Sequence, residues 1–249
     1  MSTSPVFFQR PKPRPVMPLN GLHPFQQHCM DAKKQPFLDY QHMVGDSECA
    51  RENFRHPLLR RFCLEGKIEW KQRLGQGLDG VVWRVNIQDC EFAIKVFWDN
   101  EIPEGTRYWA AQMECHNAAL IQMMQTAVKK SDEPIYLRPE PTTYKHAVAN
   151  LHAFSDEGRQ KQYFRKLPNA VQYTTLPRLR QCFGWTKVSG RELQSLSAEL
   201  RPIRAVLDRT VRDISPREEY YAIVYEFIPE TGPEQEGVDA EQSQLDFFG

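Results

Sequence analysis

Three glycines in the first third of the chain have a spacing that suits phosphate binding. They are Gly75, Gly77 and Gly80 in the stretch LGQGLDGVVWRV, which reads G-x-G-x-x-G. Glycines let backbone N–H groups approach phosphate oxygens closely, because no Cβ atom intervenes. The same spacing serves two unrelated designs: in one the glycines lead from a strand into a helix, and in the other they turn between two strands. The elements on either side of the glycines decide between these designs.

Both segments that flank the glycines are predicted to be strands. Apolar and polar residues alternate in KIEWKQRL, residues 67–74, and four apolar residues recur at period two between Val81 and Ile87. A third apolar run, CEFAIKVFW at residues 90–98, follows a short connection, so we expect a three-stranded antiparallel meander. A dinucleotide fold needs a helix after Gly80, and the period of two argues against one. The glycines are therefore predicted to form a flap in a strand-to-strand turn.

The third strand carries a lysine that suits a nucleotide site. Lys95 stands between Ile94 and Val96 in the apolar strand that follows the flap. Ala93 lies two residues before it, so both side chains point to the same face of the sheet. The alternative for Lys95 is an ordinary surface lysine. Its position after a glycine flap favours the nucleotide role.

A long amphipathic helix is predicted after this strand. Apolar residues recur at helical intervals over residues 106–130, with Thr106 as the candidate N-cap and lysines at the end. Glu114 falls in the middle of the helix. A solvated helix face is the alternative to a functional role for this glutamate.

The order of these elements resembles the small lobe of a protein kinase. The motifs that resemble it are the glycine loop followed by a valine, the A-I-K of the third strand, a glutamate in mid-helix and a later strand that leads into a hinge. The resemblance assigns these candidate nucleotide-binding residues: Gly75, Gly77, Gly80, Val82, Ala93, Lys95, Glu114, Tyr225, Glu226 and Ile228. It places Ala93 beneath a purine and pairs Lys95 with Glu114. Tyr225 takes the gatekeeper position, and the hinge begins at Glu226.

The resemblance implies an α+β fold: a kinase-like small lobe with a five-stranded antiparallel sheet and one αC-type helix, while the large lobe is absent. Helical insertions are expected at about residues 131–179 and 189–217. The second insertion is predicted to hold a helix over residues 192–214 that breaks at Pro202. Three further elements are predicted: a helix at 143–155 and strands at 180–188 and 220–230.

Phosphoryl transfer would need motifs that this sequence lacks. A kinase uses a base aspartate in H-R-D and a metal aspartate in D-F-G, both after the hinge. No H-R-D occurs, and the closing run Asp246-Phe247-Phe248-Gly249 has an extra phenylalanine and follows the hinge too closely. We expect no catalytic residues, no metal site and at most weak ATP binding. The function expected is a non-catalytic, pseudokinase-like binding protein, and the alternative is a truncated ATP-dependent protein kinase.

A closer resemblance within that fold is to fungal kinase-like proteins classed with the Fta2 subunit of the Sim4 kinetochore complex. It extends over residues 67–229, and its most specific parts are the sequence stretches LGQGLDGVVW and AIKVFW. The resemblance implies non-catalytic assembly at the centromere, in the nucleus, with protein partners among the kinetochore subunits.

The rest of the chain is predicted to be less ordered. Residues 1–66 are rich in proline and show no sustained period, which indicates a mostly disordered leader before the lobe at 67–230. Residues 231–249 carry five acids after Glu230 and no base, so they are interpreted as a poorly ordered end or a truncated helix after the hinge. A lone small lobe would expose the face that normally packs on the large lobe, which also predicts a protein partner.

Composition limits the partners and the compartment. Lysine and arginine number 32 and aspartate and glutamate number 32, so net charge does not favour nucleic acid or membranes. Eight bases interleaved with aromatics between Arg159 and Arg191 are the one local exception, as a minor nucleic-acid or acidic-protein site. Six scattered cysteines without a C-x-x-C pair indicate a reducing nuclear or cytoplasmic compartment, and no apolar run is long enough to span a membrane.

Overall fold

The computed structural model describes residues 24–207 and 210–229, and within them it has an α+β fold. The helices are α1 (Pro24–Lys33), α2 (Arg51–Arg55), α3 (Ala110–Lys130), α4 (Tyr144–Ala153), α5 (Asp156–Lys161) and α6 (Gly190–Ser195). The strands are β1 (Leu38–His42), β2 (Leu59–Arg61), β3 (Glu69–Gln76), β4 (Gly80–Ile87), β5 (Cys90–Phe97), β6 (Ile135–Leu137), β7 (Val171–Tyr173), β8 (Cys182–Ser189), β9 (Ala205–Leu207), β10 (Thr210–Arg212) and β11 (Glu219–Glu226). The predicted α+β class is confirmed. No described helix is long and apolar enough to cross a membrane.

The main sheet has seven strands in the order β1-β2-β8-β11-β5-β4-β3, so the predicted number of five is wrong. The predicted meander is confirmed, because β3 pairs antiparallel with β4 and β4 with β5. The strand β11 lies between β5 and β8 and is antiparallel to both. The two additional strands, β1 and β2, come from the N-terminal part of the chain and pair in parallel.

The N-terminal part of the chain corrects a second expectation. Within residues 24–66, predicted to be mostly disordered, two helices and two strands form and Phe37, Phe54 and Leu59 are buried. These elements are three to ten residues long, and long-range contacts hold them rather than a local period. For example, the indole of Trp185 donates a hydrogen bond to the Asp39 carbonyl at 2.8 Å. Residues 1–23 and the acidic end at 230–249 lie outside the described residues.

The insertion at about 189–217 covers the face of the sheet opposite to α3. Its helix ends at Ser195, an irregular segment follows, and β9 and β10 then pair antiparallel, so the predicted helix over 192–214 is wrong. The sheet holds the irregular segment through its backbone: the Trp83 indole donates to the Leu200 carbonyl at 2.8 Å, and Gln76 exchanges two hydrogen bonds with Ile203. Hydrogen bonds of this kind compensate for the helical bonds that Pro202 prevents.

The insertion at about 131–179 contains strands as well as helices. The predicted helix at 143–155 is confirmed as α4, whose N-cap Thr143 accepts a hydrogen bond from the N–H of His146 at 3.2 Å. The strands β6 and β7 form a two-stranded antiparallel sheet that the sequence did not indicate. Each has only three residues, too few to display a period of two.

The helix α3 packs on the other face of the main sheet. The predicted helix is confirmed, but it begins at Ala110 after Trp109 rather than after Thr106. Small residues on its inner side, including Ala111, Cys115 and Ala119, let it approach Trp185 and Ile223 of the sheet in one buried cluster. This close packing brings the N-terminal part of α3 to the strand that carries Lys95.

Candidate functional site

The glycine-rich turn joins β3 to β4, as predicted, and the surrounding residues hold it. The N–H of Gly77 donates to the Gly80 carbonyl at 2.9 Å and closes the turn. The Trp98 indole donates to the Gly77 carbonyl at 2.9 Å, and the Tyr108 hydroxyl donates to Asp79 at 2.7 Å. The flap is therefore fixed in place by the residues that follow β5.

The three glycines differ in what a side chain would meet. A Cβ on Gly80 would lie 2.2 Å from the Val96 carbonyl oxygen, so packing of β4 on β5 requires glycine there. A Cβ on Gly75 or Gly77 would meet nothing within 4 Å. The space beside these two glycines is open, as a phosphate-binding flap needs.

Lys95, Glu114 and Tyr225 form a connected group beneath the flap. The Lys95 ammonium contacts Oε2 of Glu114 in an ion pair, and the Tyr225 hydroxyl donates to Oε1 of the same carboxylate at 2.9 Å. The side chains of Lys95 and Glu114 are 24% and 28% exposed. Burial, followed by the Glu114 charge, raises the pKa of Tyr225, so this hydroxyl stays protonated and acts as a donor.

Strand pairing places the other predicted residues on the same face. Val82 lies opposite Lys95, and Ala93 lies between Arg84 on β4 and Tyr225 on β11. Ala93 is buried, whereas Val82 is partly exposed. Val82, Ala93, Lys95 and Tyr225 thus lie on one face of the sheet, the face covered by α3.

The two residues predicted for the hinge, Glu226 and Ile228, stand apart from this group. The Glu226 carboxylate accepts a hydrogen bond from Arg178 at 2.6 Å, and Ile228 is exposed. Arg84 is a residue that the sequence analysis missed: its guanidinium lies 4.8 Å from the ring centre of Phe227 and pairs with Glu91. It was missed because a charged residue in an alternating strand is normally assigned to solvent.

The N-terminal segment holds α3, a role that the sequence did not indicate. Gln112, on the first turn of α3, donates from its amide to the carbonyls of Ala32, Lys33 and Gln35, the last at 2.7 Å. The ammonium of Lys33, which is buried, donates to the carbonyls of Pro103 and Gly105 just before the helix. These contacts restrict where α3, and therefore Glu114, can lie.

Two further expectations from the sequence concern a metal site and the basic stretch. Among the described residues, no group of histidine, cysteine, aspartate or glutamate could hold a metal ion. Within the basic stretch, Arg159 pairs with Asp156, Arg178 with Glu226 and Lys187 with Glu219. Phe183 and Trp185 belong to β8 and pack into the core. Much of this stretch therefore serves the fold.

Comparison with known proteins gives one match. The family model described as "Kinetochore Sim4 complex subunit FTA2" matches residues 12–245, which is nearly the whole chain. No curated protein and no solved structure matches the chain.

Proposed function

Because the chain belongs to the family of the kinetochore Sim4 complex subunit FTA2, we propose that it is a non-catalytic assembly subunit at the centromere. Family membership implies a kinetochore complex subunit, with protein partners and a nuclear or kinetochore location. The match over residues 12–245 is the observation that carries this proposal. The family match does not favour the alternative of a truncated, catalytically active kinase.

The scaffold proposed for this subunit is a kinase-like small lobe. Five strands of the main sheet, β3, β4, β5, β11 and β8, with α3 on one face, agree in number and arrangement with such a lobe. The ion pair between Lys95 on β5 and Glu114 on α3 agrees with the strand-lysine to helix-glutamate pair of kinases. The strands β1 and β2 and the two insertions are additions to this lobe.

A non-catalytic role is supported by how the flap and sheet are covered. Trp98 and Tyr108 tie the flap to the chain that follows β5, and the insertion at 189–217 covers the opposite sheet face. Catalytic loops over phosphate generally move during turnover. A flap fixed in this way suits an architectural role.

The proposal is tested by following the tagged chain in cells that express it natively. We expect nuclear foci that coincide with a centromeric histone marker, and copurification of Sim4 complex subunits. A diffuse signal, together with a purified chain free of those subunits, would refute the proposal.

Nucleotide binding is a second candidate function. The ion-paired Lys95 and the open space beside Gly75 and Gly77 favour it. It is tested by titrating the purified chain with ATP, with and without magnesium, in a thermal-shift assay. Weak, saturable stabilisation that Lys95→Ala abolishes, and that Lys71→Ala on the exposed side of β3 retains, is the expected result. If ATP shifts the melting temperature of both variants equally, or does not shift that of the folded unmodified protein, the chain does not bind ATP at this site.

A further inference from the structure

An apolar groove of about 740 Å³ lies between α3, α4 and the β6–β7 sheet, away from the flap. One wall is the face of α3 formed by Asn117, Leu120, Ile121 and Met124. The lining residues of the other wall are Leu137, Arg138, Pro139, Glu140, Pro141, Ala147, Asn150, Leu151, Phe154, Val171 and Tyr173. We call this feature the α3–α4 groove. None of its residues takes part in the candidate nucleotide site.

The dimensions of the groove suit a helix. Exposed Met113 extends this stripe of α3 to the spacing i, i+4, i+7, i+8 and i+11, which is one face of a helix, and every position except Asn117 at i+4 is apolar. From Met113 to Met124 this stripe is about 17 Å long, or three helical turns. Tyr144 at the start of α4 is 84% exposed and lies on the same helix face as Ala147 and Leu151. Apolar side chains arranged in this way bind the apolar face of an amphipathic partner helix.

One charged side chain of the groove favours an acidic occupant. The charged lining residues are Arg138 and Glu140, and neither forms an ion pair within the described part of the chain. Glu140 is exposed, so its carboxylate stays in water. Arg138 is half-buried in the groove wall, where a partner carboxylate would pair with it at low solvent exposure. The charge that a bound partner would cover is therefore the positive charge of Arg138.

We propose that the α3–α4 groove binds an amphipathic helix of a protein partner, with acidic residues beside its apolar face. The proposal rests on the proposed function of an assembly subunit and names the surface and the chemistry of the contact. Apolar contact with Leu120, Ile121 and Met124 supplies affinity, and Arg138 sets the charge and register of the helix. The methionine of the groove adapts to partner side chains of different shapes.

A peptide titration tests the groove directly. The probe is a fluorescein-labelled 18-residue helical peptide with leucines at i, i+3, i+4, i+7 and i+11 and glutamates beside them. Its counterpart has lysines in place of the glutamates. Fluorescence anisotropy with the full chain should show binding of the acidic peptide at least tenfold tighter than that of the basic one. Arg138→Glu should reduce this preference to threefold or less.

Matched valine variants locate the binding surface. Val171 lines the groove and is 40% exposed, whereas Val44 is 75% exposed and lies outside the groove. Val171→Asp should weaken binding of the acidic peptide about tenfold, and Val44→Asp should leave the affinity for this peptide unchanged. Equal effects of the two variants, or no binding of the acidic peptide to the folded chain, would overturn the proposal. Tight binding that requires removal of residues 231–249 would also overturn it, since the chain's own acidic end would then be the occupant.

Purification of the tagged Val171→Asp chain from cells separates this inference from the proposed function. Loss of the Sim4 subunits from this variant alone supports the groove as the docking surface. If the Val171→Asp chain and the Val44→Asp chain both retain the Sim4 subunits, the groove is not the docking surface, and the proposed function still stands. If the unmodified chain captures no Sim4 subunit, the proposed function fails, and the peptide titration alone decides the inference.

Discussion

Tyr225 donates its hydroxyl hydrogen to Glu114 at 2.9 Å, on the carboxylate oxygen opposite to the one that contacts Lys95. One carboxylate thereby links the N-terminal part of α3 to two neighbouring strands, β5 and β11. All three side chains are partly buried, so the loss of one leaves the others with a lost polar contact that water replaces only in part. This link fixes the distance between α3 and the sheet.

Removal of the shared carboxylate should cost more stability than removal of either partner's contact. Glu114→Ala is expected to lower the free energy of unfolding by about 2 kcal/mol, since it removes the partner of a partly buried ammonium and of a partly buried hydroxyl. Tyr225→Phe should cost about 1 kcal/mol, because it removes a single hydrogen bond. Urea unfolding followed by tryptophan fluorescence measures both. Glu69→Ala, which removes an exposed pair with Lys71 and a weaker contact with Asn86, should change the midpoint little. A smaller loss for Glu114→Ala than for Tyr225→Phe would contradict the shared arrangement.

The glycines of the flap should differ in how much an alanine substitution costs: Gly80 is required by packing, whereas Gly77 is not. Gly80→Ala places a Cβ 2.2 Å from the Val96 carbonyl oxygen and should destabilise the fold by about 2–4 kcal/mol. Gly77→Ala meets no atom within 4 Å and should change stability by less than about 0.5 kcal/mol. Thermal unfolding of the two variants side by side makes the comparison. Similar melting temperatures for both variants would be inconsistent with this packing.

Gln112 should control the order of the N-terminal segment. Gln112→Leu keeps the size of the side chain but removes the donor to Ala32, Lys33 and Gln35. Backbone amides of residues 32–43 should then exchange with deuterium at least tenfold faster, because about 1.4 kcal/mol of local stability corresponds to tenfold. Gln125→Leu, on the same helix, is the control and should leave this exchange unchanged. If the amides of residues 32–43 exchange at the same rate in Gln112→Leu, the Gln112 side chain does not hold the N-terminal segment in place.

Stability should fall as the solution becomes mildly acidic, in part through His116. Burial is the main cause that lowers the pKa of His116, although its hydrogen bond with the Pro36 carbonyl at 3.1 Å opposes this. The unfolded state therefore takes up protons near pH 6.5, before the folded state does, and stability decreases as the pH falls through this range. The pKa of His152 is also lowered, by burial and by Arg51 and Arg55, and it adds in the same direction.

Chemical denaturation at several pH values measures this dependence. His116→Gln should make the loss of stability between pH 7.5 and pH 5.5 smaller than in the unmodified chain. Above about pH 8 the imidazole is neutral in both the folded and the unfolded state. There the difference in free energy of unfolding between the two proteins should not change with pH. An unchanged slope between pH 7.5 and pH 5.5 would show that His116 does not titrate with unfolding.

Local sequence patterns were sufficient for the elements that lead to the candidate site. The alternation around the glycines predicted β3 and β4 and the turn between them, and the helical period predicted α3. These patterns are readable because each element is eight residues or longer, and β4 and α3 each have one buried face, whereas β3 alternates only between exposed and half-buried residues at its start. Lys95 was selected from its position in an apolar strand after the glycines together with the kinase resemblance, and Glu114 was selected through that resemblance.

The patterns failed where short pieces depend on distant contacts. Residues 24–66 lack a period, yet Phe37 packs edge-on against Trp109 at 4.8 Å between ring centres. The segment after Ser195 has helical composition, but its carbonyls accept hydrogen bonds from Trp83 and Arg73 of the sheet. Propensity is a weak prior, and tertiary contacts override it in segments of this length.

The sequence by itself determined the glycine turn, the antiparallel meander, the long helix and the residues that carry the family resemblance. Only the tertiary structure decided that the N-terminal segment completes a seven-stranded sheet, that Glu114 is shared by Lys95 and Tyr225, and that a groove opens beside α3. The physical reason is the range of the interactions. Periodicity reports which face of an element is buried, whereas the partner of that face comes from residues far away in the chain.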